Sequence, residues 1–511
     1  MNQLQMLKVA LIGYVNSMKA VWSDRLYPLS IISKRKGTLK DYHIYGNTVQ
    51  DGEPAPENPI PMQSVGDLTV NLFDKDNPNI IKGFINSSDL YIYAHSVARL
   101  VWIEIKPNTT YTITKLPQSG ICALSSVEPK IDAKVDVRYT YTDLGGTAGE
   151  HTVTSGENHK YLVVAIAPTT GGAYTEKEMI DSLQIQMGGT VTPYEPYNKY
   201  RIGVVARGKN MLKAPLDVSS WGKQETSKYS YKLNGILPIN ETVTLSFDYT
   251  TLPTYFYFLT DDESISSGGT NANLRTVYLT TDRLVNKKLT FTPKEGKSYY
   301  LYSALGANNT SSTAAQAWLD RFTYIQIEYG NEATEYEEYK EPQTFDIFVD
   351  EPLRKIEGYE DYIDFEKSIV VRKIAEKVFD GTESWVYESL SYGNNFYTVI
   401  SNALGNQYLT VLCNKGKHYK GGDLTKNYAV RISSISRYFN YRFQDANNLS
   451  TYKQILSDWK EEGNPLYINY VLNVEKEETV DLPSLPQFKG TTVYEVDTTV
   501  NPSGMEVCYY E

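Results

Sequence analysis

Hydrophobic and polar residues alternate in short runs along most of the chain. LVWIEI (100–105), TYTIT (110–114), KYLVVAI (160–166) and LQIQM (183–187) are separated by clusters of Gly, Pro, Asn, Asp and Ser. The same pattern returns in TVTLSFDYT (242–250), TYFYFLT (254–260), KLTFTP (288–293) and YYLYSAL (299–305). Short period-two runs bounded by turn residues predict strands. Helical spacing is confined to one-turn pieces near Thr175–Ser182 and Thr313–Leu319 and to one longer segment. There Ser450 or Thr451 is placed to cap, Tyr452, Ile455, Leu456 and Trp459 form an apolar face, and Gly463 with Pro465 ends the helix. The predicted class is all-β: tandem β-sandwich (jelly-roll) domains, then a C-terminal β-rich domain with one helix.

A repeat sets the boundaries. LQIQMGGTVTPYEPY (183–197) aligns without gaps on IQIEYGNEATEYEEY (325–339), sharing Gln184 with Gln326, Ile185 with Ile327, Gly188 with Gly330, Thr192 with Thr334, Tyr194 with Tyr336, Glu195 with Glu337 and Tyr197 with Tyr339. Upstream, Asn71-Leu72-Phe73 answers Asn210-Met211-Leu212, and Met179-Ile180-Asp181 answers Trp318-Leu319-Asp320. Two sandwiches of ordinary domain size follow, at 67–200 and 201–341. A charged β connector is expected over 342–379 and the C-terminal domain over 380–511. Ahead of the repeats, YHIYGNTVQDGEPAPENPIP (42–61) carries Pro54, Pro56, Pro59 and Pro61. Proline fixes φ and favours an extended path, so 42–66 is expected as a semi-rigid spacer. Before it, residues 1–41 carry a stripe, Leu4, Leu11 and Met18 with Leu7, Tyr14 and Val21. That stripe fits a short coiled coil, an amphipathic helix or a strand from Leu7 to Val15, and the segment is expected to anchor or oligomerise the chain. Neither a membrane span nor an export signal is expected there.

Composition narrows the function. The chain has 511 residues with 43 Tyr against 15 Phe and 6 Trp, which suits half-wet sheet surfaces. A net charge of -11 argues against binding that neutralises many phosphates or docks on anionic lipid. The three cysteines, Cys122, Cys413 and Cys508, lie far apart, so neither a disulfide framework nor a thiolate metal site is expected. No cofactor is called for, and no motif of nucleophilic, metal-dependent or nucleotide-binding catalysis is present. Asp74, Asp76 and Asn77 are read as a polar turn, with a structural calcium as the alternative. Sugar binding uses aromatic faces against C–H patches and polar groups around hydroxyls. Trp221, Tyr255 and Tyr257 in the second sandwich, and Trp102 with Tyr91 and Tyr93 in the first, are the candidate carbohydrate-binding residues, each weighed against a place in the core.

Several blocks carry a resemblance: 42–67 (YHIYGNTVQDGEPAPENPIPMQSVGD), the paired repeat endings, DEPLRKIEGYEDYIDFEKSIVVRKI (350–374), DGTESW (380–385) and LPSLPQFKGTTVYEVDTTVNPSGMEVCYY (482–510). Together they resemble the tail or baseplate minor structural proteins of phages and prophages of Gram-positive gut bacteria. The resemblance implies a virion tail protein assembled in the host cytoplasm, with sandwiches similar to carbohydrate-binding modules. It also implies a homo-oligomer, commonly a trimer, that contacts other tail proteins and host-surface polysaccharide. No catalytic residues come with it. A purely architectural tail protein and a glycan-active enzyme with accessory modules are the alternatives.

Overall fold

The computed structural model describes residues 29–31, 43–116, 120–141, 149–166, 174–225, 228–251, 255–266, 269–271, 274–279, 288–304, 311–391, 393–405, 411–419, 425–433, 436–484, 488, 490–497 and 505–510. The stripe from Leu4 to Val21 lies outside them. Two compact units divide the chain: 67–201 with 348–351, and 1–66 with 202–347 and 352–511. The fold is all-β, as the alternation predicts. Among the described residues no helix is long and apolar enough to cross a membrane.

The first sandwich is built from β1 (Asn79–Ile81), β2 (Leu100–Glu104), β3 (Thr110–Lys115), β4 (Gly120–Ser125), β5 (Val137–Tyr141), β6 (Gly149–Thr154), β7 (Tyr161–Ala165) and β8 (Gln184–Met187). One sheet runs β5-β4-β7-β2-β1 and the other β6-β3-β8. The second sandwich uses β9 (Gly222–Glu225), β10 (Lys228–Lys232), β11 (Val243–Tyr249), β12 (Phe256–Thr260), β13 (Leu274–Tyr278), β14 (Lys288–Phe291), β15 (Tyr299–Ala304) and β16 (Phe322–Tyr329). Its sheets run β13-β12-β15-β10-β9 and β14-β11-β16, with a short strand Gly269–Asn271 outside β13. Every strand of the second therefore takes the place of the strand eight earlier in the first. Alternate residues point inward, giving one core around Val101, Ile113, Cys122, Leu124, Leu162 and Ile185 and another around Tyr231, Leu245, Phe256, Phe258, Leu301 and Ile327.

Each sandwich closes with a short helix before its last strand, α1 (Glu176–Ser182) and α2 (Ser312–Leu319). Thr175 and Glu178 form a reciprocal capping box on α1, and Ser311 caps α2.

The repeated endings have a physical reason. Asn71 Nδ2 donates to the Glu195 carbonyl (3.0 Å) while its Oδ1 accepts from Phe73 N and Ile185 N. Asn210 does the same for the Glu337 carbonyl (3.1 Å) and Leu212 N. Gln184 Oε1 accepts from Glu195 N (2.7 Å) and Gln326 Oε1 from Glu337 N (2.9 Å). Thr112 and Thr244 hydroxyls each donate to the carbonyl of Gly188 and Gly330 at 2.7 Å. Those glycines sit at φ +97° and +94°, a left-handed turn that a side chain would strain. The repeated letters are thus the latches that pin each tail segment back to the opening of its own sandwich.

The C-terminal module pairs 43–45, 362–364, 369–379, 466–479 and 411–413 in one sheet, and 386–390, 393–399, 438–442, 429–432 and 417–418 in a second. An aromatic core of Phe379, Trp385, Phe396, Phe439, Tyr441 and Tyr452 lies within it. Tyr452 and Leu456 come from α3 (Leu449–Glu461). Its cap is Asn448, whose Oδ1 accepts from Thr451 N at 2.9 Å, and not Ser450 or Thr451, because the helix begins one turn earlier than the apolar stripe. The strand Thr491–Asp497 returns to pair with 203–208, and Val493 is buried in the second sandwich's core.

The proline-rich segment corrects an expectation. Residues 43–66 are held against the C-terminal module at several points rather than standing as the expected semi-rigid spacer. His43–Tyr45 is an edge strand on Tyr362–Asp364, Gln50 Nε2 donates to Cys413 O (2.9 Å), Ile60 N to Asn414 O (2.8 Å) and Met62 N to the Tyr467 hydroxyl (3.2 Å). Lys417 pairs with Glu53, and Pro54 is buried. The prolines lie in irregular backbone between these contacts, where their missing N–H groups leave no ladder hydrogen bond unmade.

Candidate functional site

The sheet of the second sandwich that contains β12 turns one face to the core and the other outward. Inward are Phe256 and Phe258 of β12, Tyr299 and Leu301 of β15, and Tyr229 and Tyr231 of β10. Outward, cross-strand partners form one row: Gly222 with Ser230, Ser230 with Tyr302, Tyr302 with Tyr257, and Tyr257 with Tyr278. Three neighbouring strands therefore each place a tyrosine on the outward face. The Tyr257 ring lies 6.2 Å from Tyr302, nearly parallel at 22°, and 5.1 Å from Tyr278, edge to face at 88°. Tyr255 adds a fourth ring 6.5 Å from Tyr257.

Exposure is graded across this cluster. Tyr302 is buried, Tyr257 and Tyr278 are partly buried, and Tyr255 is 52% exposed. Tyr255 also holds φ +59°, a left-handed conformation costly for a bulky residue. An exposed ring held in a strained backbone beside partly buried rings is the geometry of an aromatic platform. Burial first, then Tyr278, Tyr255 and Tyr302, raises the Tyr257 phenol above its ordinary pKa, and no charged side chain is among the causes.

The sequence candidates separate under this geometry. Tyr255 and Tyr257 are brought together. Trp221 is removed from the set: it is 5% exposed, its indole N–H donates to Pro215 O at 2.9 Å, and its ring packs against Tyr231 and Trp318 in the core. A one-turn 3-10 helix, Val218–Ser220, turns it inward. Trp102 lies on the outward face of the first sandwich, where the corresponding row reads Asn79, Trp102, Val163, Ala123 and Arg138. Its ring meets Tyr161 edge to face at 5.3 Å, and it packs on an aliphatic layer of Ile85, Ile92, Ala123, Val135 and Val163. The hairpin 83–85/92–94 supplies part of that layer.

Tyr91 and Tyr93 sit on or beside this covering hairpin and are tied to charged partners. The Tyr93 hydroxyl donates to Asp89 Oδ2 at 2.8 Å, and Lys134 Nζ lies 5.9 Å over the Tyr91 ring. Asp74 Oδ1 accepts from Asp76 N (3.0 Å) and Asn77 N (3.2 Å), which makes the Asp74–Asn77 stretch a capped turn. Among the described residues no group of three or more His, Cys, Asp or Glu is gathered to hold a metal.

Tyr278 and Tyr302 are site residues that sequence reasoning missed. For Tyr302 the signal was the alignment of YLVVA (161–165) with YLYSA (300–304), in which Val163 faces Tyr302.

The chain is thus a tandem β-sandwich protein with an outward row of tyrosines on its second sandwich. No protein-family model and no curated protein matches it. Among solved structures it is similar to the N-terminal CBM22-1–CBM22-2 tandem domain of Xyn10C from Paenibacillus barcinonensis, at 10% identity over 52% of this chain and 98% of that one, with a TM-score of 0.17. That likeness is too loose to bear on the site.

Proposed function

We propose that this chain is a non-enzymatic component of a phage tail tip or baseplate that holds host-surface polysaccharide on the tyrosine face of its second sandwich. The observation that supports the binding role is the outward group Tyr255, Tyr257 and Tyr278 beside the buried Tyr302, all four outside the second sandwich's core cluster. The resemblance of blocks 42–67, 350–374 and 482–510 to tail proteins supports the setting. In this reading the chain works as a trimer among other tail proteins, so that weak sites on one particle gain avidity through effective concentration.

The test is adsorption of particles carrying Tyr255→Ala, Tyr257→Ala and Tyr278→Ala together. Loss of adsorption with intact, fully assembled particles is expected. Unchanged adsorption would overturn the site and leave the architectural role.

A further inference from the structure

The two sandwiches differ where each begins. Counting back from Asn71 and Asn210, Leu68 takes the place of Arg207 and Val70 that of Lys209, and in the repeated endings Met187 takes the place of Tyr329. In the second sandwich these places hold polar side chains that are engaged by other segments. Arg207 and the Tyr329 hydroxyl converge on Glu495, and Lys209 Nζ donates to Thr334 Oγ1 at 2.7 Å and pairs with Glu337 at 3.0 Å. Lys209 and Tyr329 are each only 7% exposed. Glu495 arrives on an extended strand, Thr491–Asp497, whose Val493 and Tyr494 pair with Arg207 and Ala206.

In the first sandwich the same places are apolar and open. Leu68 is 58%, Val70 37% and Met187 50% exposed, and among the described residues Asp67–Leu68 pairs only with Tyr200 and Arg201. A framework that encloses a lysine in one copy and leaves leucine and methionine to water in the other has the ordinary order of burial reversed. Single exposed apolar residues are common, but Leu68 and Met187 share a face, because the residues in their places meet one carboxylate. Glu495 itself would be the wrong partner here. The strand that fits sets an aliphatic side chain where Glu495 stands and alternates apolar residues along one side.

Outside the described residues the longest apolar run is 7–15, LKVALIGYV. Extended, it places Leu7, Val9, Leu11 and Val15 on one side. One such run and one such face in each chain suit a head-to-tail contact, in which every copy gives a strand and receives one. We propose that the face of Leu68, Val70 and Met187 receives segment 7–15 of a second copy as an added strand, an assignment that rests on the homo-oligomer reading above.

The experiment is hydrogen exchange of the full chain, followed over 7–15 by mass spectrometry, with the mass of the assembly recorded alongside. The parent is compared with Leu68→Asp plus Met187→Asp, and with Val474→Asp, a substitution at a 69% exposed valine of the C-terminal module. The parent is expected to be an oligomer whose 7–15 amides exchange at least about tenfold more slowly than in the double variant. The Val474 variant should match the parent, and dilution to monomer should abolish the protection. Amides of 110–115 should stay protected throughout, which reports that the first sandwich is folded; Leu68→Gln plus Met187→Gln is the gentler pair if the aspartates disturb it.

Protection of 7–15 that persists in the double variant would overturn the face and leave a coiled coil between copies. Protection that survives dilution to monomer would overturn the second copy as donor. An oligomer with unprotected 7–15 would overturn the docking alone, and a monomer with unprotected 7–15 would overturn the homo-oligomer reading with it.

Discussion

Ala123 and Tyr257 occupy the same place in two copies of one framework. Each faces outward from the strand between β7 and β5, or between β15 and β13. Around Ala123 the neighbours are Val163 and the aliphatic side chains of a covering layer, and Ala123 itself is fully buried. Around Tyr257 they are tyrosines, with exposure rising toward Tyr255. The inner faces and the latches of the two copies are alike, so the difference lies in what the sheet's outer side has been asked to cover. A small residue admits a second apolar layer. A tyrosine leaves the face half wet.

The largest effect tests whether Trp221 belongs to the framework. Trp221→Ala removes a buried ring and should cost about 3–5 kcal/mol of stability, read as a lowered denaturation midpoint and faster hydrogen exchange in the second sandwich. Tyr255→Ala, which removes an exposed ring, should leave both measurements near the parent. Equal effects would blur the distinction between core and platform.

Ala123→Tyr asks whether the first sandwich's outer face is closed. A tyrosine there meets the layer that includes Ile85, Ile92 and Val135, and overpacking of this kind costs about 1–3 kcal/mol. The loss should appear in the first sandwich alone. A variant as stable as the parent, with new sugar binding, would mean that the covering hairpin lifts readily.

The shared latches predict matched effects. Asn71→Ala and Asn210→Ala each leave a buried or part-buried tail carbonyl and a backbone N–H without their partner, and each should cost about 1–3 kcal/mol. A large effect in one sandwich and none in the other would break the equivalence of the two copies.

These latches also show what sequence can reveal. Asn71, Gln184, Gly188 and Thr192 recur as Asn210, Gln326, Gly330 and Thr334 because each does its work through its own side chain or its own φ. Single-letter comparison therefore found the two sandwiches. Strands such as β6 (GEHTVT), β9 (GKQE) and β10 (KYSYK) escaped, since their apolar content is low and the neighbouring strands specify their pairing. The facing of aromatics was equally illegible. Trp221 is an aromatic residue set among polar ones and Tyr257 one set among apolar ones, yet a one-turn helix sends the first inward and strand parity sends the second outward. The proline run shows the same limit: its prolines were legible, but its partners were not, because Asn414 and Tyr467 lie more than three hundred residues away.

The smallest effect lies in acid. Asp262 is buried in the second sandwich, where burial opposes its ionisation but hydrogen bonds from Ser264, Lys294 and Tyr299 prevail and bring its pKa down to about 2. A carboxyl lowered in the folded state contributes stability that is fully present above its unfolded value of 3.8 and is lost as pH falls through about 2. The second sandwich should therefore weaken across that acid window. Asp262→Asn should be less stable at neutral pH, because it gives up the Lys294 ion pair, and should flatten the acid dependence. A sandwich whose acid profile is unchanged by Asp262→Asn would show that other carboxylates govern its unfolding and that Asp262 is merely enclosed.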